Sequence, residues 1–346
     1  MGVRRRAAGL ALGALMASVG LAGLAGCGGD AGAGGPVTVR LGHFPNLTHA
    51  TAIVGVEKGI FAQELGTDKL DVKTFNAGPA AVEALFSGAI DATYIGPNPA
   101  INAWVQSKGR AVRLVAGAAS GGAFLVTKPE ITSAEQLRGT VIATPQLGNT
   151  QDVALRYWLK QKGLATTKEG GGDVQVKPQD NAVTADAFST GAIAGAWVPE
   201  PTASRLVAAG GKILVDERDL WPGGKFVVTH LLVSKTFLDA HPATVKKLIA
   251  GSVKANAFIN ANPAEAQQAV SSGIGKLTGK PLDPKLTADA WKSITFLDDP
   301  LAETLRVGAQ HAQEVGLLDP IDLNGLYDLE LLNQVLREQG TTEVRA

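Results

Sequence analysis

Short apolar runs alternate with amphipathic stretches along most of the chain, and the alternation repeats itself. Val39-Arg40-Leu41-Gly42 predicts a strand, then an irregular loop, then a helix closing at Lys58-Gly59-Ile60. The same order returns about a hundred residues later. Val141-Ile142-Ala143-Thr144 predicts a strand, and the helix after it closes at Lys162-Gly163-Leu164. Asn76-Ala77 opens a helix that ends at Ser87-Gly88-Ala89-Ile90, and Asn181-Ala182 opens one that ends at Ser189-Thr190-Gly191-Ala192-Ile193. Each is followed by a short apolar strand and a proline loop, Ala92–Ile95 with Gly96-Pro97-Asn98-Pro99 and Gly195–Val198 with Pro199-Glu200-Pro201. A further helix and strand complete each copy, at Val112–Ala116 and Lys212–Val215.

Strands alternating with helices predict an α/β fold in which helices cover both faces of a mostly parallel sheet. Two copies predict two doubly wound lobes. The first lobe is expected at 37–121 and again at 230–346, where a helical tail returns to it, and the second at 122–229. Ala123–Lys128 and Val228–Lys235 look like related strands at the two crossings, which would form a two-strand hinge.

The N-terminus departs from this pattern. Arg4, Arg5 and Arg6 precede an uncharged stretch that ends in Leu24-Ala25-Gly26-Cys27, the layout of a secretory signal peptide over 1–26. About 20 apolar residues can also span a bilayer, but the small-residue cleavage pattern and the glycines suit a removable leader. Cys27 is the single cysteine of the chain; as the lipid-modified residue it would be unavailable as nucleophile or metal ligand, and no internal disulfide is possible. Residues 27–36 read as a flexible tether.

The roughly 310 residues from Val37 on exceed the common single-domain size. Lys plus Arg number 32 and Asp plus Glu 32, and removal of the leader takes away three arginines and no acid. With no basic run and no aromatic residues interleaved with basic ones, a nucleic-acid partner is not expected.

In open α/β sheets ligands sit beyond the carboxyl ends of the strands, where loops lead into helix N-termini. Four such loops are expected, at Phe44–Thr48, Gly96–Asn98, Gln146–Thr150 and Val198–Glu200. Free amides and the positive dipole end there favour an anion. The candidate ligand-binding residues are Phe44, Asn46, Thr48, Gly96, Asn98, Thr144, Gln146, Asn149, Thr150, Trp197 and Glu200, with Gln151 among the neutral donors. These loops carry no lysine or arginine, so an anion would be held by dipoles, hydroxyls and amides. Phe44, Tyr94 and Trp197 are expected to line an apolar floor. Capping is the ordinary use of Ser, Thr and Asn before a helix; the functional reading rests on four loops converging from two lobes.

The chain resembles the substrate-binding lipoproteins of nitrate, taurine and aliphatic-sulfonate importers. The resemblance lies in Val54–Phe61, Asn76–Leu85, Gly88–Ala92, Gln136–Gly139 and Ala196–Pro201. It implies a bilobal periplasmic-binding-protein fold of the type II, venus-flytrap kind, closure of the lobes on a solute, and docking onto ABC permease subunits driven by a separate ATPase. Lipid anchoring through Cys27 on the extracytoplasmic side and a monomeric body complete the expectation. An aliphatic sulfonate or taurine is the expected solute, Glu200 or Asp180 meeting taurine's ammonium; nitrate, bicarbonate or a thiamin precursor are the alternatives, and a solute sensor would use the same fold. No cofactor, metal or enzymatic activity is expected. His43, His49, His230, His241 and His311 sit in no catalytic motif, although His43 and His49 flank the first loop and could touch ligand.

Overall fold

The structure, a computed structural model, describes residues 35–346. The expected leader, Cys27 and most of the tether lie outside the described residues.

The first stretch runs β1 (Thr38–His43), α1 (Ala50–Glu57), α2 (Ile60–Leu65), β2 (Lys69–Thr74), α3 (Gly78–Phe86), β3 (Ala92–Ile95), α4 (Pro97–Gln106) and β4 (Val112–Gly121). The second runs β5 (Ala123–Thr127), β6 (Val141–Thr144), α5 (Thr150–Gln161), β7 (Gln175–Pro178), α6 (Asn181–Ser189), β8 (Gly195–Pro199), α7 (Thr202–Ala208) and β9 (Lys212–Asp216). The remainder holds β10 (Val227–Ser234), α8 (Lys235–Ala240), α9 (Pro242–Ala261), α10 (Pro263–Thr278), α11 (Pro284–Trp291), β11 (Ile294–Phe296), α12 (Ala302–Glu314) and α13 (Glu330–Glu338).

Two sheets result, a six-stranded one in the order β11-β4-β10-β3-β1-β2 and a five-stranded one in the order β7-β6-β8-β5-β9. The duplication read from the sequence is therefore carried into topology. In both sheets a parallel trio (β2-β1-β3 and β7-β6-β8) is followed by one antiparallel strand, β10 or β5, and then by β4 or β9. The α/β class and the bilobal architecture stand, with each sheet mixed at the position where a crossing strand inserts.

Burial explains the strand compositions. β3, β8 and nearly all of β10 are buried throughout, so they are continuous apolar runs rather than alternating ones. The edge strand β2 instead exposes Lys69, Asp71 and Thr74, a pattern that discourages edge-to-edge pairing. The six-stranded sheet is covered by α1, α2, α9 and α13, whose Phe61, Leu248, Ile249 and Leu332 pack with Leu41 and Tyr94. Around the five-stranded sheet, Leu155, Trp158 and Leu159 of α5 pack with Leu125, Ile142 and Trp197.

One crossing is direct: β4 passes into β5 through Gly121 and Gly122, at φ +81° and +70°, a left-handed pair that side chains with a Cβ rarely adopt. The other runs through residues 217–226, which contain two short 3-10 turns, Glu217–Leu220 and Pro222–Gly224. Residues 36–346 form a single compact unit, and among the described residues no helix is long and apolar enough to cross a membrane.

Candidate functional site

The loops after β1, β3, β6 and β8 meet between the two sheets. A cleft there is lined by Phe44, Asn46, Thr48 and His49 from the first loop, Gly96 from the second, Pro145, Asn149, Thr150 and Gln151 from the third, and Pro199 from β8. Asn76, Asn181 and Val228 complete it. The lining contains no carboxylate, lysine, arginine or thiol.

Each loop has a local reason for its shape. Phe44 N donates to His49 Nδ1 at 3.3 Å, and His49 N donates to the Asn46 carbonyl at 3.1 Å, which folds the first loop into a 3-10 turn. In the third loop the brace is Asp152, fully buried on α5. Its carboxylate accepts from Thr144 Oγ1 at 2.9 Å, Gly148 N at 3.0 Å and Arg156 Nε at 3.0 Å, tying strand end, loop and helix together. Asn149 caps α5 by accepting from Gln151 N at 3.1 Å. Beside it Thr150 Oγ1 is buried with no hydrogen-bond partner, and so is Asn181 Oδ1. Buried polar atoms are normally satisfied, so two unpaired oxygens in one cleft mark places where a solute or water can bond.

The two sides touch. Leu47 N donates to the Glu200 carbonyl at 3.0 Å, Asn76 Nδ2 to Asp180 Oδ1 at 2.8 Å, and Asn102 Nδ2 to the Gly148 carbonyl at 3.4 Å. Further out, Tyr157 of α5 stacks on His311 of α12 with centroids 3.5 Å apart. The enclosed space in the cleft is about 20 Å³, room for about one water. A larger solute requires the sheets to stand further apart.

Of the residues expected from the sequence, Phe44, Asn46, Thr48, Gly96, Asn149 and Thr150 come together in this cleft. Five do not. Thr144 is spent on Asp152. Gln146 offers its carbonyl to Asn149 N within its own loop. Asn98 Nδ2 donates to the Gly308 carbonyl at 3.2 Å, joining α4 to α12. Trp197 is fully buried in the core of the five-stranded sheet, with Nε1 donating to Glu217 Oε2 at 2.8 Å. Glu200 turns its carboxylate onto Ser204, accepting from its N at 3.0 Å and its Oγ at 2.9 Å. That carboxylate faces a separate cavity of about 590 Å³ between α7 and α11, and burial raises its pKa to about 7. Tyr94 is likewise core, its hydroxyl donating to Ser252 Oγ at 2.8 Å, so Phe44 alone of the three aromatics reaches the cleft.

Sequence reasoning passed over Asn76 and Asn181 as helix openings. The signal was the repeat itself: Asn-Ala recurs before α3 and α6, at equivalent places beyond β2 and β7. No cluster of three or more His, Cys, Asp or Glu side chains suited to a metal occurs among the described residues.

Two similar α/β sheets that close neutral, donor-rich loops over one cleft define a bilobal solute trap. Residues 32–274 match the NMT1-like family, and the chain belongs to that family. It is 31% identical over 206 residues to the taurine-binding periplasmic protein of Escherichia coli strain K12, a match covering 59% of this chain and 61% of that protein. In structure it is similar to the alkanesulfonate-binding protein SsuA of Xanthomonas axonopodis pv. citri, solved bound to MOPS, with TM-score 0.68, 18% identity, and 83% and 96% of the two chains covered. It is also similar to the periplasmic nitrate-binding protein NrtA of Synechocystis PCC 6803, with TM-score 0.73, 16% identity, and 88% and 89% covered. These structures share the fold.

Proposed function

We propose that the chain is the extracytoplasmic solute-binding protein of an ABC importer, and that its two lobes close on a small oxyanion, an aliphatic sulfonate or taurine. The observation that carries the reading is Thr150, a buried hydroxyl without a partner in a cleft lined only by uncharged groups. It stands in the first turn of α5, where amides lack helical acceptors and the dipole is positive. A lining without acid, amine or thiol suits binding rather than catalysis. The taurine and alkanesulfonate named for the two relatives support the same solute class.

With Tyr94 and Trp197 in the cores, the apolar lining is limited to Phe44, Pro145, Pro199 and Val228, so a short carbon chain is favoured. The small enclosed space gives nitrate, named for the Synechocystis protein, as the second reading. Because Glu200 is committed to Ser204, Asp180 is the acid left at the rim for an ammonium group; its Oδ1 accepts from Asn76.

Residues 37–121 with 227–346, and 122–216, are the proposed moving bodies, closing in the manner of periplasmic binders; the bound expected at 229/230 moves to 226/227 because β10 pairs with β4 from Val227 on. Permease subunits and a separate ATPase are the proposed partners of a monomer held to the membrane by lipid on Cys27. Detergent phase partition checks the anchor: the Cys27→Ser variant should leave the lipid phase, and its retention there would exclude the lipid. For the solute, calorimetric titration of residues 36–346 with ethanesulfonate, taurine, nitrate, bicarbonate and thiamin precursors should show heat with the sulfonates. Binding of a heterocycle with no response to any oxyanion would contradict the assignment.

A further inference from the structure

Two histidines flank the first loop with opposite roles. His43 Nδ1 lies 3.3 Å from the Phe44 carbonyl, so it carries a hydrogen and donates; His43 does not line the cleft. His49 does line it, and its Nδ1 faces the other half of the same residue, the Phe44 N–H, at 3.3 Å. A main-chain amide can only donate, so Nδ1 of His49 is unprotonated and the ring hydrogen of a neutral imidazole sits on Nε2. His49 is 3% exposed. That burial, reinforced by the neighbouring His43, holds its pKa well below the ordinary histidine value. The Phe44 ring, 4.3 Å away at 35°, sets the plane of the imidazole. Among the described residues no hydrogen bond takes up Nε2–H.

We propose that His49 is a ligand-binding residue whose neutral imidazole donates Nε2–H to an oxygen of the bound oxyanion while Nδ1 holds the Phe44 loop. The assignment rests on the oxyanion reading of the cleft and adds to it a fixed tautomer. The ring is thus both clamp and donor, and its two nitrogens can be replaced separately. Asn at this position offers an oxygen near the place of Nδ1 and nothing at Nε2; Gln offers an amide N–H near the place of Nε2 and no acceptor for Phe44.

The test has two parts, on residues 36–346. Long-range proton–nitrogen NMR of the imidazoles, without any solute, should show His49 as the Nε2–H tautomer. An Nδ1–H tautomer or an imidazolium at neutral pH would overturn the assignment. Calorimetry then uses ethanesulfonate and nitrate as probes on His49→Asn and His49→Gln. His49→Asn should keep the Phe44 amide shift yet bind the responsive probe roughly 10- to 100-fold more weakly, the scale of one hydrogen bond to a charged group. His49→Gln should move the Phe44 amide shift and retain more of the affinity than His49→Asn. Wild-type affinity in His49→Asn would overturn the donor role while leaving the oxyanion reading intact. Failure of every oxyanion to bind the wild-type protein would overturn both.

Discussion

Glu217 shows how a single buried side chain sets the response of this fold to pH. It is 2% exposed, it accepts the Trp197 indole hydrogen, and loss of hydration raises its pKa from 4.5 to about 7. Glu200 is raised to about 7 and Asp298 to about 6, each by burial. A carboxyl whose folded pKa lies above its unfolded one binds more protons when folded, so its contribution falls as pH rises from the unfolded value through the folded one. His43, His49, His230 and His311, all lowered by burial, oppose this, because below the unfolded value of 6.5 the unfolded chain takes up their protons. Replacing Glu217 by Gln keeps an acceptor for Trp197 and removes the charge. Chemical denaturation should find Glu217→Gln more stable than wild type by on the order of 2 kcal/mol at about pH 8, with the gain mostly gone near pH 4.5. An equal difference at both pH values would show that ionisation of Glu217 is not the cause. None of this was legible beforehand. Trp197 lies in a strand buried on both faces, where the period of two no longer tells which side chains face the core and which the cleft, and the same ambiguity misplaced Tyr94. Glu200 stood in a cleft loop by sequence, but its side chain reaches forward to the helix that follows.

At the scale of elements, the duplicated strand–loop–helix units were readable because each is a local pattern: an apolar run, a loop rich in Asn, Thr and Gly, then a helix start. Phe44, Asn46, Thr48, Gly96, Asn149 and Thr150, which the structure brings to one cleft, were picked out in this way. The braces behind them were not: Asp152 reads as an ordinary acid, and His49 stands beside the first loop as a residue that could touch ligand, without its bond to the Phe44 amide, which exists only once the loop folds back. Gly96 shows what the close approach of two elements demands. Its φ of −73° suits any residue, yet an added Cβ would run into Thr150 Oγ1 from the opposite loop and come within 3.5 Å of the Val228 carbonyl. Gly96→Ala is therefore expected to disfavour the closed arrangement of the two loops by about 1–3 kcal/mol, the usual cost of overpacking, and so to lower the stability of the solute-free protein as well as its affinity wherever closure accompanies binding. Titration calorimetry beside a thermal melt checks it. Full affinity in the variant would mean that the loops after β3 and β6 do not meet when solute binds.

For the whole molecule, the two crossings differ in their surroundings. Gly121–Gly122 is packed against Ser293 and Ile294, whereas the 217–226 segment borders cavities of about 530 Å³ and 730 Å³ lined by Trp221 and Lys225. Large spaces thus lie beside the second crossing and a small one lies where the loops converge, so the proposed site rests on the unpaired Thr150 hydroxyl and the convergence of loops rather than on the amount of space. That the chain builds two similar sheets followed from the repeat, but their strand order and the insertion of β5 and β10 as antiparallel partners depend on pairing between segments far apart in sequence. The most direct test is a crystal structure of residues 36–346 grown with ethanesulfonate. The account expects the sulfonate between the sheets, oxygens within hydrogen-bond reach of Thr150 Oγ1 and the first amides of α5. A solute bound instead in the cavity beside Tyr157, Trp221 and His311, with the cleft closed and dry, would contradict it.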